Sequence, residues 1–264
     1  MKKFLVIGNP IDHSLSPELH NYWIKKNNID AVYEKKQIIK EEIKELISEV
    51  KKDKIKGINV TVPFKKTVIP FLDELTLLAS ESQSVNTIYK ENNKVIGHNT
   101  DIGGFELAIR SIDYNPKNKK VFILGAGGVV PSLILSLKKM GVHKILLSNR
   151  TKRKAEDLKI KYKNIEIIDW GETPDFDMII NATSLGLKKA DEIKLDYKNI
   201  GPNKLFYDII YNPNQTNFLF EANKFGNKVE NGKKMFIYQA HQAFAIWHKI
   251  LPEIDDETIN LINK

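Results

Sequence analysis

A lysine and an aspartate near the ends of predicted strands could together carry out proton transfer, with an asparagine beside them. Lys65 follows the apolar run 57–63, Asn86 lies near the start of the stretch 84–101, and Asp101 ends that stretch. A lysine beside an aspartate can move a proton to or from a reacting oxygen. Amide and carboxylate groups also fix the hydroxyls of a sugar-like molecule by hydrogen bonding. This set predicts a pocket for a polyol or a hydroxy acid.

Two serines lie in the polar stretch 9–21, NPIDHSLSPELHN, which directly follows an apolar run. The hydroxyls of Ser14 and Ser16 could donate hydrogen bonds to a substrate carboxylate. They could instead serve only as helix caps, and Ser16 reads as the N-cap of a helix over 17–27. Asp101 could likewise cap the helix that follows it, so both interpretations stay open for these residues.

A glycine-rich turn, in VFILGAGGVV, joins a predicted strand to a predicted helix at Gly125-Ala126-Gly127-Gly128. Gly125 allows the tight turn, and Gly127 lets the backbone approach a pyrophosphate at the helix N-terminus. Val130 stands where the third glycine of a dinucleotide-binding fingerprint would be. The context favours a dinucleotide site over a turn without a ligand.

A basic segment follows the second predicted strand of the same unit. It reads NRTKRK and consists of Asn149, Arg150, Thr151, Lys152, Arg153 and Lys154. An enzyme that uses NAD would carry a carboxylate here for the ribose 2′-hydroxyl, whereas Arg and Lys suit a 2′-phosphate. A cationic helix start also opposes the helix dipole, which favours a bound anion over a merely solvated face. The segment therefore predicts NADP.

The elements that must position these residues alternate between strand and helix. In the first unit we predict strands at 4–8, 31–38 and 57–63, helices at 17–27 and 40–52, and a hairpin over 84–101 that turns at Glu91-Asn92-Asn93. After a connecting helix at 105–112, the second unit has strands at 120–125, 143–148, 164–168, 177–181, 204–209 and 226–230. Such alternation implies a parallel, doubly wound sheet.

The strongly apolar segment 235–251 predicts a buried helix. We therefore expect an α/β protein with two domains. Residues 1–101 form the first, with the C-terminal helical segment 235–264 packing back on it, and residues 102–234 form the second.

Composition excludes several classes of function. The net charge of +8 is spread along the chain without an aromatic-interleaved basic stripe, so nucleic-acid binding is disfavoured. There is no cysteine, and the six histidines show no metal-ligand spacing, so we expect no metal. No G-x-S-x-G elbow, membrane-length apolar run or signal peptide is evident, which favours a cytoplasmic enzyme that is not a serine hydrolase.

Together the motifs resemble those of the shikimate dehydrogenase family over nearly the whole chain. The matching pieces, in order, are IGNPIDHSLSPELHN, GINVTVPFKK, SVNTIY, GHNTD, GAGG, NRT, NATSLG, YDIIYNP and VENGKKMFIYQAHQAF. The resemblance implies an NADP-dependent oxidoreductase acting on a CH–OH group, which reversibly reduces 3-dehydroshikimate to shikimate in chorismate and aromatic amino-acid biosynthesis. It implies a mixed-sheet substrate domain, a Rossmann NADP-binding domain and a cleft between them that closes during the reaction.

The resemblance also assigns roles to individual residues. Lys65 and Asp101 match the catalytic pair. The substrate-binding positions are Ser14, Ser16, Thr61, Lys65, Asn86, Asp101, Tyr211 and Gln239. The cofactor-binding positions are Gly125, Ala126, Gly127, Gly128 and Val129 for the pyrophosphate, Asn149 to Lys154 for the 2′-phosphate, and Thr183, Ile209 and Gly232 for the nicotinamide end.

Two alternatives remain. One is a quinate/shikimate dehydrogenase with relaxed substrate or cofactor use, in which the wall formed by Ser14 and Ser16 would accept the additional C1 hydroxyl of quinate. The other is a non-catalytic NADPH-binding regulator, which the presence of both Lys65 and Asp101 disfavours. The sequence leaves open whether the protein is a monomer or a homodimer, and which member of the pair is the formal proton donor.

Overall fold

The computed structural model describes residues 1–188 and 192–262 and divides the chain into two compact units. Unit 1 consists of Met1–Gly104 together with the described residues from Ile237 onward, and unit 2 consists of Phe105–Phe236. Each unit has its own six-stranded sheet. The predicted α/β class with one mixed and one parallel sheet is confirmed.

Unit 1 begins with alternating strands and helices and then changes to a hairpin. The elements are β1 (Lys2–Gly8), α1 (Ser16–Lys26), β2 (Ala31–Gln37), a 3₁₀ turn (Lys40–Glu42) that runs into α2 (Ile43–Lys51), β3 (Gly57–Val60), a further 3₁₀ turn (Ile69–Phe71), β4 (Glu74–Leu75), α3 (Leu77–Ser82), β5 (Thr87–Glu91), β6 (Lys94–His98) and α4 (Asp101–Arg110). The strand order is β2-β1-β3-β5-β6-β4. Strand β1 pairs in parallel with β2 and β3, whereas β5 is antiparallel to both β3 and β6.

The β5–β6 hairpin brings two of the predicted site residues to one end of the sheet. It turns at Asn92 and Asn93, which both have positive φ angles, of 49° and 61°. Asparagine tolerates this left-handed conformation, which two-residue hairpin turns require. The register places Thr87 opposite His98. Asn86, just before β5, therefore lies beside the segment that leads from β6 to Asp101.

One part of the core of unit 1 lies on the sheet face that α2 covers. The apolar side chains Ile43, Leu46, Ile47 and Val50 recur at helical spacing, and all four are buried. They pack in one cluster with Ile58 and other inward-facing strand residues. Burying a side chain of this size contributes about 1.5–3 kcal/mol. This packing holds the strand ends that carry the candidate site.

Unit 2 repeats a strand–helix pattern except between β9 and β10. Its elements are β7 (Lys120–Leu124), α5 (Val130–Lys139), β8 (Lys144–Ser148), α6 (Lys152–Lys161), β9 (Ile165–Ile167), β10 (Met178–Asn181), α7 (Tyr197–Ile200), β11 (Leu205–Asp208), α8 (Asn217–Lys224) and β12 (Lys228–Glu230). The order β12-β11-β10-β7-β8-β9 is parallel at every pairing. The six predicted strands are confirmed, and the order reverses between β7 and β10, where doubly wound sheets bind ligands.

The chain ends with α9 (Lys233–His248) and α10 (Asp256–Leu261). From Ile237 onward α9 belongs to unit 1, where the indole nitrogen of Trp247 donates to the Ile88 carbonyl at 3.1 Å. Phe244 is fully buried, as the apolar character of the segment predicts. The last two residues of the predicted C-terminal segment, 263–264, lie outside the described residues.

The predicted cap of α1 is wrong by one residue. Leu15 occupies the N-cap position, and Ser16 is the first residue of the helix. Ser14 provides the reason, because its hydroxyl oxygen accepts a hydrogen bond from the Ser16 backbone N–H at 3.3 Å. Two other boundaries also differ. Strand β3 ends at Val60, where a turn begins with Phe64 N–H bonded to the Thr61 carbonyl, and α4 begins at Asp101 rather than at 105.

Asp255 stabilises the C-terminal part of unit 1. Its carboxylate accepts hydrogen bonds from the Thr258 N–H at 2.8 Å, the Tyr22 hydroxyl at 2.6 Å and the Lys26 ammonium at 2.6 Å. The Lys26 hydrogen bond, followed by those from Thr258 and Tyr22, holds the pKa of Asp255 well below its ordinary value of 3.8. The carboxylate therefore caps α10 and joins it to α1.

We expect Asp255→Ala to lower the free energy of unfolding at pH 7 by about 1–2 kcal/mol, the usual effect of losing an N-cap. Because the folded-state pKa is depressed, the charge-dependent part of this stabilisation is present above pH 3.8 and is lost as the pH falls toward the folded value. Urea unfolding of both proteins from pH 7 down to pH 3 should show the difference shrinking below about pH 4. A difference that stays constant over this range would contradict the prediction.

Candidate active site

Lys65 and Asp101 form the ion pair at the centre of the candidate site in unit 1. The Lys65 ammonium lies 2.6 Å from one carboxylate oxygen of Asp101, and only 12% and 7% of the two side chains are exposed. The backbone fixes both partners. The Lys65 carbonyl accepts a hydrogen bond from Val85 N–H at 2.8 Å, and Asp101 begins α4, where the helix dipole favours a negative charge.

Asn86 holds the second oxygen of the Asp101 carboxylate. Its amide nitrogen donates to Asp101 Oδ1 and to the Thr100 hydroxyl, both at 2.9 Å, and its amide oxygen accepts from Thr100 N–H at 2.8 Å. The side-chain oxygen of Gln239, on α9, accepts from the same amide nitrogen at 3.4 Å. The structure therefore brings four of the predicted residues together: Lys65, Asn86, Asp101 and Gln239.

This arrangement suits proton transfer to an oxygen atom. Charge-assisted hydrogen bonds are shorter and stronger than neutral ones, and a site largely shielded from water strengthens them further. With both carboxylate oxygens of Asp101 engaged, the Lys65 ammonium is held at a defined position. An ammonium so held can donate a proton to an alkoxide and stabilise its charge.

A buried chain of hydrogen bonds connects Tyr33, in β2, to this cluster. The Tyr33 hydroxyl donates to Asn59 Oδ1 at 2.7 Å, and the Asn59 amide donates to the Asn86 carbonyl at 3.0 Å. Burial raises the pKa of Tyr33 well above its ordinary value, so the hydroxyl stays protonated and remains a donor. Tyr33 and Asn59 thereby anchor the backbone at Asn86, and the roles of Ser14 and Ser16 toward a substrate stay predictions.

Thr61 lies directly after β3, beside the end of β1. Its backbone N–H donates to the Ile7 carbonyl at 2.9 Å, and a Cβ at Gly8 would come within 2.6 Å of its methyl group. The close approach of the two segments places Thr61 at the same strand end as the Ser14 loop. The role of its hydroxyl toward a substrate stays a prediction.

In unit 2, the glycine-rich turn has the shape that a dinucleotide pyrophosphate needs. Gly125 has a φ of +109°, and a Cβ there would lie 2.7 Å from the Ala182 carbonyl oxygen, so only glycine fits without strain. Around Gly127 and Gly128, in contrast, no atom lies within 4 Å of a Cβ position. The turn therefore has an open face that leads into α5, a helix of ten residues, and these residues fit the group that the motif predicts.

A side-chain hydrogen bond links the basic segment to this turn, and the cations of the segment differ in whether a carboxylate lies beside them. Asn149 Oδ1 accepts a hydrogen bond from Ala126 N–H at 3.0 Å. Lys152 pairs with Asp169 at 2.6 Å and Arg153 with Asp157 at 3.2 Å, so a carboxylate lies beside each. The remaining two cations, Arg150 and Lys154, are exposed and have no partner within residues 1–188 and 192–262.

The positions assigned to the nicotinamide end come from three parts of unit 2. Thr183 follows β10, Ile209 follows β11, and Gly232 precedes α9. A Cβ at Gly232 would lie 2.1 Å from the Ile209 carbonyl oxygen, so these two segments are in close contact. Tyr211, assigned to the substrate, stacks on Phe236 in the same unit with ring centroids 4.6 Å apart.

Comparison with known proteins identifies the family. Residues 6–88 match the shikimate dehydrogenase substrate binding domain, and residues 106–206 match shikimate / quinate 5-dehydrogenase. The chain is 63% identical over 262 residues to shikimate dehydrogenase (NADP(+)) of Pelagibacter ubique strain HTCC1062, covering 99% of both chains. The chain belongs to the shikimate dehydrogenase family.

Solved structures of the family agree in fold. The crystal structure of shikimate dehydrogenase from Aquifex aeolicus superimposes with a TM-score of 0.92 at 36% identity and covers 100% of this chain and 98% of that one. A shikimate dehydrogenase crystallised with NADP+ also has a TM-score of 0.92, at 34% identity, covering 99% of this chain and 94% of that one. The resemblance inferred from the motifs is therefore confirmed.

None of the helices in the described part of the chain has the length and apolar character that spanning a membrane requires. Across residues 1–188 and 192–262, His, Asp and Glu side chains do not cluster in groups of three or more that could hold a metal ion.

Sequence reasoning missed the residues that orient the site rather than enter it. Thr100 and Asn59 hold Asn86, and Tyr33 holds Asn59. One signal was available, since Asn59 is a polar residue inside the apolar strand GINV. A buried polar side chain in such a strand has to find hydrogen-bond partners.

Proposed function

We propose that the protein is an NADP-dependent shikimate dehydrogenase, which reversibly reduces 3-dehydroshikimate to shikimate in the biosynthesis of chorismate and the aromatic amino acids. The observation that carries the proposal is the Lys65–Asp101 ion pair at 2.6 Å, held by Asn86. It occurs in a chain that is 63% identical over nearly its whole length to a shikimate dehydrogenase (NADP(+)).

Unit 1 is proposed to bind the substrate. Its residues 6–88 match the family's substrate binding domain. The hydroxyls of Ser14 and Ser16 would hold the substrate carboxylate. The resemblance implies the same role for Tyr211 of unit 2. Thr61, Asn86 and Gln239 would bind the ring hydroxyls, because hydroxyl and amide groups both donate and accept hydrogen bonds.

The proton-transfer step is assigned to Lys65 and Asp101. When bound, NADPH supplies the hydride that reduces the ring ketone. The Lys65 ammonium would stabilise the developing alkoxide and donate a proton to it. Asp101, whose second oxygen accepts from Asn86, would keep the ammonium oriented. The pair acts as one proton-transfer unit.

Unit 2 is proposed to bind NADP. The turn from Gly125 to Val129 would hold the pyrophosphate, and the segment from Asn149 to Lys154 would hold the 2′-phosphate. Within that segment, Arg150 and Lys154 are the cations without a neighbouring carboxylate partner in the described part of the chain. Thr183, Ile209 and Gly232 would line the nicotinamide end.

Gly127→Ala is expected to abolish most cofactor binding without unfolding the protein. The added methyl group meets no protein atom within 4 Å, but it enters the open face proposed for the pyrophosphate. We expect the Kd for NADPH, measured by fluorescence titration, to rise about tenfold or more, which corresponds to roughly 1.4 kcal/mol. The melting temperature without cofactor should match wild type.

The matched comparison is Gly125→Ala. There a methyl group meets the Ala182 carbonyl and the backbone has a positive φ, so this variant should be destabilised. If Gly127→Ala bound NADPH as tightly as wild type, the pyrophosphate would not lie on this face.

An absorbance assay of NADP+ reduction by shikimate tests the proposed reaction. Parallel reactions with quinate in place of shikimate, and with NAD+ in place of NADP+, distinguish an enzyme specific for shikimate and NADP+ from one with relaxed substrate or cofactor specificity. We expect the highest kcat/KM with shikimate and NADP+, because the basic segment suits a 2′-phosphate. Comparable values with quinate or NAD+ would favour the quinate/shikimate alternative, and the absence of any turnover would refute the proposal.

We also propose a cytoplasmic location, which the absence of cysteine from the sequence favours. Fractionation of the source cells tests this, since shikimate-dependent NADP+ reduction should be recovered with the cytoplasmic marker enzymes. Recovery of the activity with the membrane fraction would contradict it.

A further inference from the structure

A fully buried carboxylate is linked by hydrogen bonds to the segments proposed to line the nicotinamide end. Asp208 is the last residue of β11 and is 0% exposed. One of its oxygens accepts hydrogen bonds from the Asn181 side-chain amide and from Ile210 N–H, both at 3.0 Å. The other accepts from the Thr216 hydroxyl at 2.7 Å. Three donors from different segments therefore converge on one side chain.

Asn181 extends this contact to the first of the nicotinamide segments. It is also 0% exposed, and its side-chain oxygen accepts from both the backbone N–H and the hydroxyl of Thr183, at 3.0 and 2.7 Å. Its amide nitrogen donates to the Leu185 carbonyl at 3.0 Å as well as to Asp208. Asn181 thus fixes both the backbone and the hydroxyl of Thr183.

Asp208 reaches the other two segments through the backbone. By accepting from Ile210 N–H, it fixes the segment that contains Ile209. The Ile210 carbonyl in turn accepts from Gly232 N–H at 3.1 Å, and the backbone at Gly232 is in close contact with the Ile209 carbonyl. All three segments are therefore linked to a single carboxylate.

Keeping a carboxylate at this depth has a cost. Burial raises the pKa of Asp208 to about 6, against the three hydrogen bonds, which lower it. The contact with Thr216 has a structural role, since Thr216 caps α8. The contacts with Asn181 and Ile210 do not involve that cap and instead join Asp208 to the proposed nicotinamide segments.

We propose that Asp208 is a positioning residue, which acts through Asn181 and Ile210 to fix the segments at Thr183, Ile209 and Gly232 and thereby the hydride donor. The inference rests on the proposed function, because it requires those segments to hold the nicotinamide. Fixing the donor matters because small misplacements of reacting atoms slow a reaction strongly even when binding is retained.

The test compares Asp208→Asn and Asp208→Ala with wild type in the full-length protein. Asparagine keeps an oxygen for Asn181 and Ile210, and its amide can donate to the Thr216 hydroxyl, so this variant should fold. Three quantities are measured: the Kd for NADPH, kcat for reduction of 3-dehydroshikimate, and the kinetic isotope effect with deuterium at C4 of NADPH.

We expect the Kd of Asp208→Asn to stay within about threefold of wild type, while kcat falls about tenfold and the isotope effect rises because hydride transfer becomes slower. Asp208→Ala should lower kcat further. If that variant does not fold, Thr183→Val replaces it, since it removes only the hydroxyl that Asn181 binds. Asp255→Ala, in unit 1, is the matched control: it also loses a hydrogen-bonded carboxylate, and its kcat and isotope effect should equal those of wild type.

The outcomes separate this inference from the proposed function. An inactive wild type would overturn both. An active wild type whose Asp208 variants lose activity only in proportion to the unfolded fraction, with an unchanged isotope effect, would overturn the positioning role alone. So would a loss confined to NADPH affinity with kcat unchanged.

Discussion

Lys65→Ala is expected to lower kcat for shikimate oxidation by roughly 10²–10⁴-fold, the usual contribution of general acid–base catalysis. The structure holds the Lys65 ammonium 2.6 Å from Asp101, and we propose that this ammonium exchanges a proton with the substrate oxygen. The KM for NADP+ should change little, because the proposed cofactor residues belong to unit 2. Steady-state kinetics with each substrate varied in turn measure both effects.

Two further variants make this test specific. Lys66→Ala removes the neighbouring, exposed lysine and should behave as wild type. Lys65→Ala combined with Asp101→Ala should be no slower than the more damaging single variant, because residues that act as a unit give non-additive losses. If Lys65→Ala kept a near-wild-type kcat, or if the two losses simply multiplied, the assignment of the pair would be wrong. Circular dichroism melts establish that each variant is folded.

Replacing both Arg150 and Lys154 with alanine is expected to raise the KM for NADP+ by roughly 10²-fold. Each hydrogen bond to a charged group contributes about 1.5–3 kcal/mol, which is about tenfold or more in affinity. These are the two cations of the segment without a carboxylate partner in the described parts of the chain. The KM for NAD+, which lacks the 2′-phosphate, should be nearly unchanged, so the preference for NADP+ should collapse.

Lys152→Ala is the control for this prediction. Asp169 lies 2.6 Å from the Lys152 ammonium, and both are well exposed, so the loss of this cation should raise the KM for NADP+ much less. The preference for NADP+ in the wild-type enzyme should also weaken as salt is added, because salt screens exposed charges. Equal effects of the double variant on NADP+ and NAD+ would refute the 2′-phosphate assignment.

The fold could be predicted because local patterns and global arrangement agree in this chain. The spacing of Ile43, Leu46 and Val50 marks one face of a helix, and those residues are buried as predicted. The turn at Asn92-Asn93 fixes the β5–β6 hairpin. Since this hairpin determines the register, the proximity of Asn86 to Asp101 also followed from the sequence.

What the sequence did not reveal are contacts between side chains that are distant along the chain. The pairing of Lys152 with Asp169 and the linkage of Asp208 with Asn181 depend on which strands become neighbours in the sheet. No local periodicity encodes such a contact. The misassigned cap of α1 has a different origin, because residue type favours Ser16 as the cap, whereas the backbone geometry puts Leu15 in that position.

The most direct test of the proposed function is the oxidation of NADPH by the purified protein in the presence of 3-dehydroshikimate, with the product identified by chromatography and mass spectrometry. We predict that NADPH is consumed only when 3-dehydroshikimate is present, and that one shikimate is formed for each NADPH oxidised. Oxidation of NADPH without formation of shikimate, or no oxidation at all by the folded protein, would contradict the assignment.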